Sequence, residues 1–289
     1  MPASPRRTVA QPTRRHVLQL ASALAAPALT WPTWAAPRLS PRADAPEVGV
    51  DPALVASGLT ERWSQAMRRD MGWSARWRPL PSGALLLQME QGEVDLGIYL
   101  SHPQASRLAQ QGLIHDQHPL ARTDVLLVGP AQDLAGIRAE RDPALALRQV
   151  LVAHAAGAAL WQAPPPASAL AALLERLLAG AGVQPGASAG PLAGMASAPA
   201  ARGKPPADIP YRLLTRAEWL AAPPARGQAA PRVWLQGGPD QRLLSLDCTL
   251  ARPFRAKHPG ARLLVQWLQG PLARQAVAAS APGWQPLQG

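Results

Sequence analysis

Cysteine is almost missing from this chain of 289 residues, since Cys248 is the only one. A lone cysteine excludes an intramolecular disulfide, so packing must hold the fold together. Lysine is nearly as scarce, with only Lys204 and Lys257, and the arginines are scattered rather than interleaved with aromatic residues in a stripe. The formal net charge is +11, but this scattered pattern argues against nucleic-acid binding.

Familiar catalytic and cofactor motifs are missing as well. The sequence has no Gly-x-Ser-x-Gly elbow, no P-loop and no Gly-x-Gly-x-x-Gly fingerprint. We therefore predict a protein that is not an enzyme and that carries no cofactor. His115 and His118 offer two imidazoles to a metal, but a third ligand is missing nearby in sequence, so a solvated loop is our interpretation of residues 115–118.

The first 35 residues contain four arginines and no acidic side chain. An apolar run over residues 17–29 follows the arginines, and it is shorter than the ~20 residues that a membrane-spanning helix needs. Small residues then precede a cleavage point after Ala35, with Ala36 as the alternative. This order predicts a cleavable signal peptide over residues 1–35 and a mature chain without a membrane span.

The arginine pair at Arg14 and Arg15 lies in the segment TRRHVLQ, which resembles the twin-arginine (Tat) export consensus. An ordinary Sec signal that happens to contain two arginines is the alternative. Both routes cross the inner membrane, so we predict a periplasmic protein.

Beyond residue 45, short apolar segments alternate with amphipathic ones, which predicts an α/β protein. Thr215 and Glu218 form a capping-box pattern at one helix start. Residues 184–209 are rich in Ala, Gly and Pro, and we expect low order there. The predicted strands cover residues 46–50, 75–80, 94–100, 124–130, 150–154, 211–214, 232–236 and 243–250.

Several segments, taken in order, resemble the tungstate-binding family of periplasmic ABC-transporter substrate-binding proteins. The resemblance spans most of residues 46–280. It rests on the order and spacing of six segments: SGL at 57–59, SGAL at 82–85, GEVDL at 92–96, SHP at 101–103, VGP at 128–130, and a final helix broken at 270–271.

The resemblance implies a two-lobe periplasmic-binding-protein-like fold of type II, with a mixed sheet flanked by helices in each lobe. Lobe I would comprise residues 46–124 and 244–289, and lobe II residues 125–243. It also implies a monomer that holds a small anionic ligand and delivers it to an ABC permease. Candidate ligand-binding residues are Ser57, Gly58, Ser82 and Gly83, because helix starts favour anions. Plain helix capping by the same residues is the alternative.

Two segments depart from the family's pattern. Where the family has a hydroxyl-rich loop after the first strand, this chain has VDPA at 50–53, and Asp51 would repel an oxyanion. Residues 154–159, HAAGAA, likewise lack the family's polar second-lobe side chains. A second hypothesis is therefore a binding-protein-like fold that has lost ligand binding and serves in sensing or partner interaction.

Overall fold

The computed structural model describes residues 45–182, 209–222, 230–238 and 242–287. The predicted signal at residues 1–35 lies outside these ranges, as does the predicted low-order segment apart from Ile209. Within these ranges, no helix is both long and apolar enough to cross a membrane.

Strands and helices alternate through most of the described chain. The strands are β1 (Glu47–Val50), β2 (Arg76–Pro79), β3 (Leu96–Leu100), β4 (Ile114–Gly129), β5 (Arg212–Thr215), β6 (Arg232–Gln236), β7 (Ser245–Pro253) and β8 (Gln285–Pro286). The helices are α1 (Pro52–Ala56), α2 (Leu59–Met71), α3 (Ser82–Gln91), α4 (Pro103–Gln110), α5 (Pro143–Ala155), α6 (Ala169–Gly180), α7 (Arg216–Ala221), α8 (Ala261–Leu268) and α9 (Pro271–Ala278). A short 3-10 turn, Arg242–Leu244, leads into β7.

The sheet is mixed, which confirms the predicted fold class. Strand β1 lies between β2 and β3 and is parallel to both, as crossover helices between successive strands require. Strand β7 then pairs antiparallel with β3 on one side and with β4 on the other. Strands β5, β6 and β8 are antiparallel partners of β4.

The long strand β4 changes partners half-way along its length. Up to Asp124 it pairs with β7, and from Val125 onward it pairs with β5 and β6. The change falls at the boundary between residues 124 and 125 that the lobe prediction uses. Because all eight strands belong to one hydrogen-bonded sheet, in which β6 and β8 branch from β4, the division into lobes stays a prediction.

The core packs against both faces of the sheet. Leu85, Leu86 and Met89 of α3 belong to a smaller cluster on one face, and most other buried side chains form one large cluster. The Trp63 ring is fully buried, lies 6.0 Å from the Trp77 ring, and donates from Nε1 to the Ala273 carbonyl.

Two local predictions were wrong. Residues 150–154 were predicted as a strand but belong to α5, because the Asp142 side chain caps the helix start and Pro143 occupies its first turn. Residues 115–118 were predicted as a loop but lie in β4. The register shifts between His115 and His118, and Asp116 has a φ of 53°, which is the geometry of a bulge.

Candidate functional site

Four helix starts meet at one small cavity of about 80 Å³. Its lining includes Asp51 before α1, Pro81 before α3, Ser168 before α6 and Thr215 before α7. The first backbone N–H groups of a helix lack intrahelical partners and carry partial positive charge, so such a meeting point favours an anion. We call this candidate functional site the inner cavity.

The chain supplies the anion of the inner cavity itself, through Asp51. Its Oδ1 accepts from the Ala53 N–H at 3.1 Å, and its Oδ2 accepts from the Ser82 hydroxyl at 2.6 Å. The Ser82 oxygen in turn accepts from the Leu100 N–H at 2.9 Å. Because Asp51 is 6% exposed and Ser82 is fully buried, these bonds are shielded from water and hold the start of α3 against α1 and β3.

Burial raises the pKa of Asp51 to about 6, since desolvation disfavours the ionised carboxylate. The hydrogen bonds from Ser82 and Ala53 oppose this rise, whereas the negative charge of Glu218 adds to it. Asp51 is therefore ionised at neutral pH and neutral in mildly acidic solution. At neutral pH the inner cavity contains a negative charge before any ligand arrives.

The next backbone N–H of α3 also has an acceptor, which is a backbone carbonyl. The Gly83 N–H donates to the Ala167 carbonyl at 2.7 Å. A Cβ at position 83 would lie 2.8 Å from that carbonyl oxygen and 2.9 Å from Nε2 of His102, so only glycine fits. Ala167 has a φ of 59°, in the left-handed region that non-glycine residues rarely adopt. The loop before α6 thus directs a carbonyl at the predicted anion site.

The starts of α6 and α7, which come later in the chain, are also capped. The Ser168 hydroxyl accepts from the Ala171 N–H at 3.1 Å. Thr215 and Glu218 form the predicted capping box: the Thr215 hydroxyl accepts from the Glu218 N–H at 3.1 Å, and Glu218 Oε2 accepts from the Thr215 N–H at 2.9 Å. Glu218 also places a second carboxylate at the inner cavity.

The structure separates the four predicted ligand-binding residues into two places. Ser82 and Gly83 lie at the start of α3, directly after the lining residue Pro81, and the Ser82 hydroxyl donates to Asp51. Ser57 ends α1, where its hydroxyl donates to the Leu54 carbonyl and accepts from Nε1 of Trp284 at 2.8 Å. Gly58 precedes α2 with a φ of 73°. Ser57 and Gly58 therefore lie at the opposite end of α1 from Asp51, the residue that Ser82 contacts.

Side chains that could bind a metal are spread out in the part of the chain that the structure describes. There, no three His, Cys, Asp or Glu side chains come close enough to form a metal site. Cys248 is fully buried in β7, and burial raises the pKa of its thiol, which makes it unreactive. The chemistry that the inner cavity offers is hydrogen bonding and charge, without a nucleophile.

Comparison with known proteins supports the fold. No protein-family model and no curated protein matches the chain. A solved periplasmic protein proposed to bind metal superposes with a TM-score of 0.65 at 20% identity, covering 84% of this chain and 96% of its own. The chain has the fold of a periplasmic binding protein.

Two tungstate proteins share that fold. The tungstate ABC transporter protein from Geobacter sulfurreducens gives a TM-score of 0.59 at 19% identity, covering 82% of this chain and 98% of its own. The tungstate-binding protein TupA from Desulfovibrio alaskensis also gives 0.59, at 16% identity, covering 86% of this chain and 100% of its own. The resemblance to the tungstate-binding family is therefore confirmed at the level of the fold.

Sequence reasoning singled out Ser82, Gly83 and Asp51 as residues that bear on anion binding, which stays a prediction, but it missed the hydrogen bonds that Asp51 accepts. The dipeptide Asp51-Pro52 is a helix-start signal, with a capping aspartate and a proline in the first turn, and that signal could have revealed α1. The carbonyl of Ala167 has no such signal, because a backbone acceptor in a loop depends on the loop's path and not on its side chain.

Proposed function

We propose that this protein is a periplasmic solute-binding-type protein whose oxyanion position is occupied by its own Asp51. One observation carries the proposal: the Asp51 carboxylate accepts hydrogen bonds from the Ala53 N–H and the Ser82 hydroxyl at the meeting point of the helix starts. Under this proposal the inner cavity holds α1, α3, α6 and α7 together and does not hold a free tetrahedral oxyanion.

Three physical effects argue against an oxyanion at the inner cavity. The space of about 80 Å³ is small for an ion with its water. Ionised Asp51 and nearby Glu218 would repel the anion, and this repulsion is strong where water is scarce. The N–H of Gly83 and the capped starts of α6 and α7 already have acceptors. A free oxyanion would lose several charge-assisted hydrogen bonds, each worth about 1.5 to 3 kcal/mol.

The proposal also includes export to the periplasm by the predicted Tat signal and an ABC permease as partner. We include in it a monomer that delivers a small ligand, bound away from the inner cavity, to an ABC permease; the fold shared with periplasmic binding proteins supports the delivery of a ligand. The internally bonded cavity also favours the second hypothesis, a binding-protein-like fold that has lost ligand binding and serves in sensing or partner interaction.

Isothermal titration calorimetry with tungstate, molybdate and sulfate tests the proposal. At neutral pH we expect no binding by the mature wild-type protein. Asp51→Ser removes the charge, frees space and adds a hydroxyl, so this variant should gain measurable tungstate binding. In that background Ser82→Ala should abolish the gain and Ser57→Ala should keep it, because only Ser82 contacts residue 51. Tight tungstate binding by the wild type would contradict the proposal.

Export is tested separately through the arginine pair. Tat recognition depends on guanidinium groups, so Arg14→Lys with Arg15→Lys should leave the precursor in the cytoplasm. The matched control is Arg6→Lys with Arg7→Lys, which keeps the same charge and should leave export intact. Immunoblots of periplasmic and cytoplasmic fractions provide the measurement, and normal periplasmic accumulation of the first variant would favour a Sec signal.

A further inference from the structure

A second and larger cavity lies between α4 and α6. Its volume is about 500 Å³, well above that of the inner cavity and within the range of small-molecule sites. We call it the outer cavity. Its walls are residues Ser101, His102, Pro103 and Ser106 around the start of α4, residues Ala172, Leu173, Glu175, Arg176 and Ala179 of α6, and Leu246 of β7.

Two opposite charges in the outer cavity have no ion-pair or hydrogen-bond partner in the part of the chain that the structure describes. Glu175 and Arg176 are exposed side chains of α6, and neither takes part in an ion pair or side-chain hydrogen bond within the ranges that the structure describes. Consecutive helical residues point about 100° apart, so the two side chains do not face each other. A ligand that lies across α6 can therefore contact both groups at once.

The opposite wall adds a neutral hydrogen-bonding group. Burial lowers the pKa of His102, and the negative charge of Glu175 opposes that shift. Nδ1 of His102 accepts from the Gln104 N–H at 3.3 Å, so Nε2 carries the proton of the neutral ring. Ser106 is exposed and offers a hydroxyl on the same wall.

We propose that the outer cavity binds a small zwitterionic organic molecule of amino-acid size, with its ammonium on Glu175 and its carboxylate on Arg176. The apolar side chains of Leu173 and Leu246 would contact its hydrocarbon part. A ligand with a single charge would leave one of the two ionised groups without a partner, whereas a zwitterion pairs both.

This inference rests on the proposed solute-binding function and names a ligand class for it. The test is calorimetry of the mature wild-type protein with each proteinogenic L-amino acid. At least one should bind. Its analogues that lack either the amino group or the carboxyl group, such as 4-methylpentanoate and isoamylamine for L-leucine, should bind at least about tenfold more weakly.

Variants then locate the site. Glu175→Gln and Arg176→Gln should each weaken binding of the best amino acid by about tenfold or more. The exposed controls Glu93→Gln and Arg148→Gln carry the same changes away from the cavity and should bind as the wild type does. Thermal melting checks that all four variants are folded.

The outcomes separate the two proposals. If no amino acid binds, or if Glu175→Gln and Arg176→Gln both bind as the wild type does, the outer-cavity proposal is overturned. Tungstate binding to the wild type contradicts the assignment of the inner cavity and is measured independently. Loss of amino-acid binding in the two cavity variants, with the controls unchanged, supports the outer-cavity proposal.

Discussion

The inner and outer cavities share helix α6, yet they are built in opposite ways. At the inner cavity, the start of α6 is capped by Ser168, and Asp51 bonds to Ser82. About two turns further along the helix, Glu175 and Arg176 line the outer cavity with no ion-pair partner among the described residues. One helix thus takes part in a site that is internally bonded and in one that is not.

This difference predicts that the inner cavity contributes to stability and the outer cavity to ligand binding. Groups that are hydrogen-bonded within the chain stabilise the folded state, and a ligand must displace them before it can bind. Charged groups without partners add little to stability, but they are free to bind a ligand. Substitutions at the inner cavity should therefore change the free energy of unfolding, whereas those at the outer cavity should change affinity alone.

Asp51→Asn should have the largest effect on the pH dependence of stability. The pKa of Asp51 is about 6 in the folded protein and 3.8 in its ordinary state, so the folded chain holds this proton more tightly than the unfolded chain does. The stabilising contribution is complete below the lower pKa and is lost as pH rises through about 6. Relative to Asp51→Asn, the wild type should lose about 2 to 3 kcal/mol of unfolding free energy across this interval.

Urea unfolding at a series of pH values measures this loss. Glu93→Gln, an exposed carboxyl change, is the matched control and should give a profile parallel to that of the wild type. Parallel profiles for the wild type and Asp51→Asn would show that the inner cavity does not disfavour the Asp51 charge.

Gly83→Ala should have the next largest effect. The added Cβ would lie 2.8 Å from the Ala167 carbonyl oxygen and 2.9 Å from Nε2 of His102, so the loop before α6 must move. We expect the free energy of unfolding, measured by chemical denaturation, to fall by about 1 to 3 kcal/mol. Gly180→Ala is the control, since a Cβ there meets nothing within 4 Å, and it should be neutral or stabilising by up to about 1 kcal/mol. Equal stability of the two variants would argue against close packing at Gly83.

Thr215→Ala should lower the free energy of unfolding by less, about 1 kcal/mol, because it removes one capping hydroxyl from the start of α7. Thr215→Ser keeps the hydroxyl and should recover most of the loss. Both variants are measured by chemical denaturation at neutral pH. If Thr215→Ser were as unstable as Thr215→Ala, packing of the methyl group and not the cap would be responsible.

Glu175→Gln and Arg176→Gln should have the smallest effect on stability, within about 0.5 kcal/mol of the wild type. Both side chains are exposed and no partner depends on them in the described structure. Chemical denaturation of each variant without ligand provides the value. A loss comparable to that of Gly83→Ala would remove the contrast between the two cavities.

Local patterns in the sequence predicted the elements whose signals are contained in a few neighbouring residues. The capping box of Thr215 and Glu218, at the start of α7, is one case. The same reasoning failed for residues 150–154, where valines favoured a strand, because the cap at Asp142 and packing between α5 and α6 outweigh that preference. The bulge at Asp116 had no local signal, since it depends on pairing with β7.

For the site, composition and spacing already determined an α/β protein with helix starts at Ser82 and Thr215 and an acidic residue after the first strand. Only the tertiary structure decided that the Asp51 carboxylate meets the Ser82 hydroxyl and that the Ala167 carbonyl meets the N–H of Gly83. Capping signals act within one helical turn, so the sequence shows them directly. Contacts between residues 31 or 84 positions apart depend on how β4 and the sheet bring distant segments together.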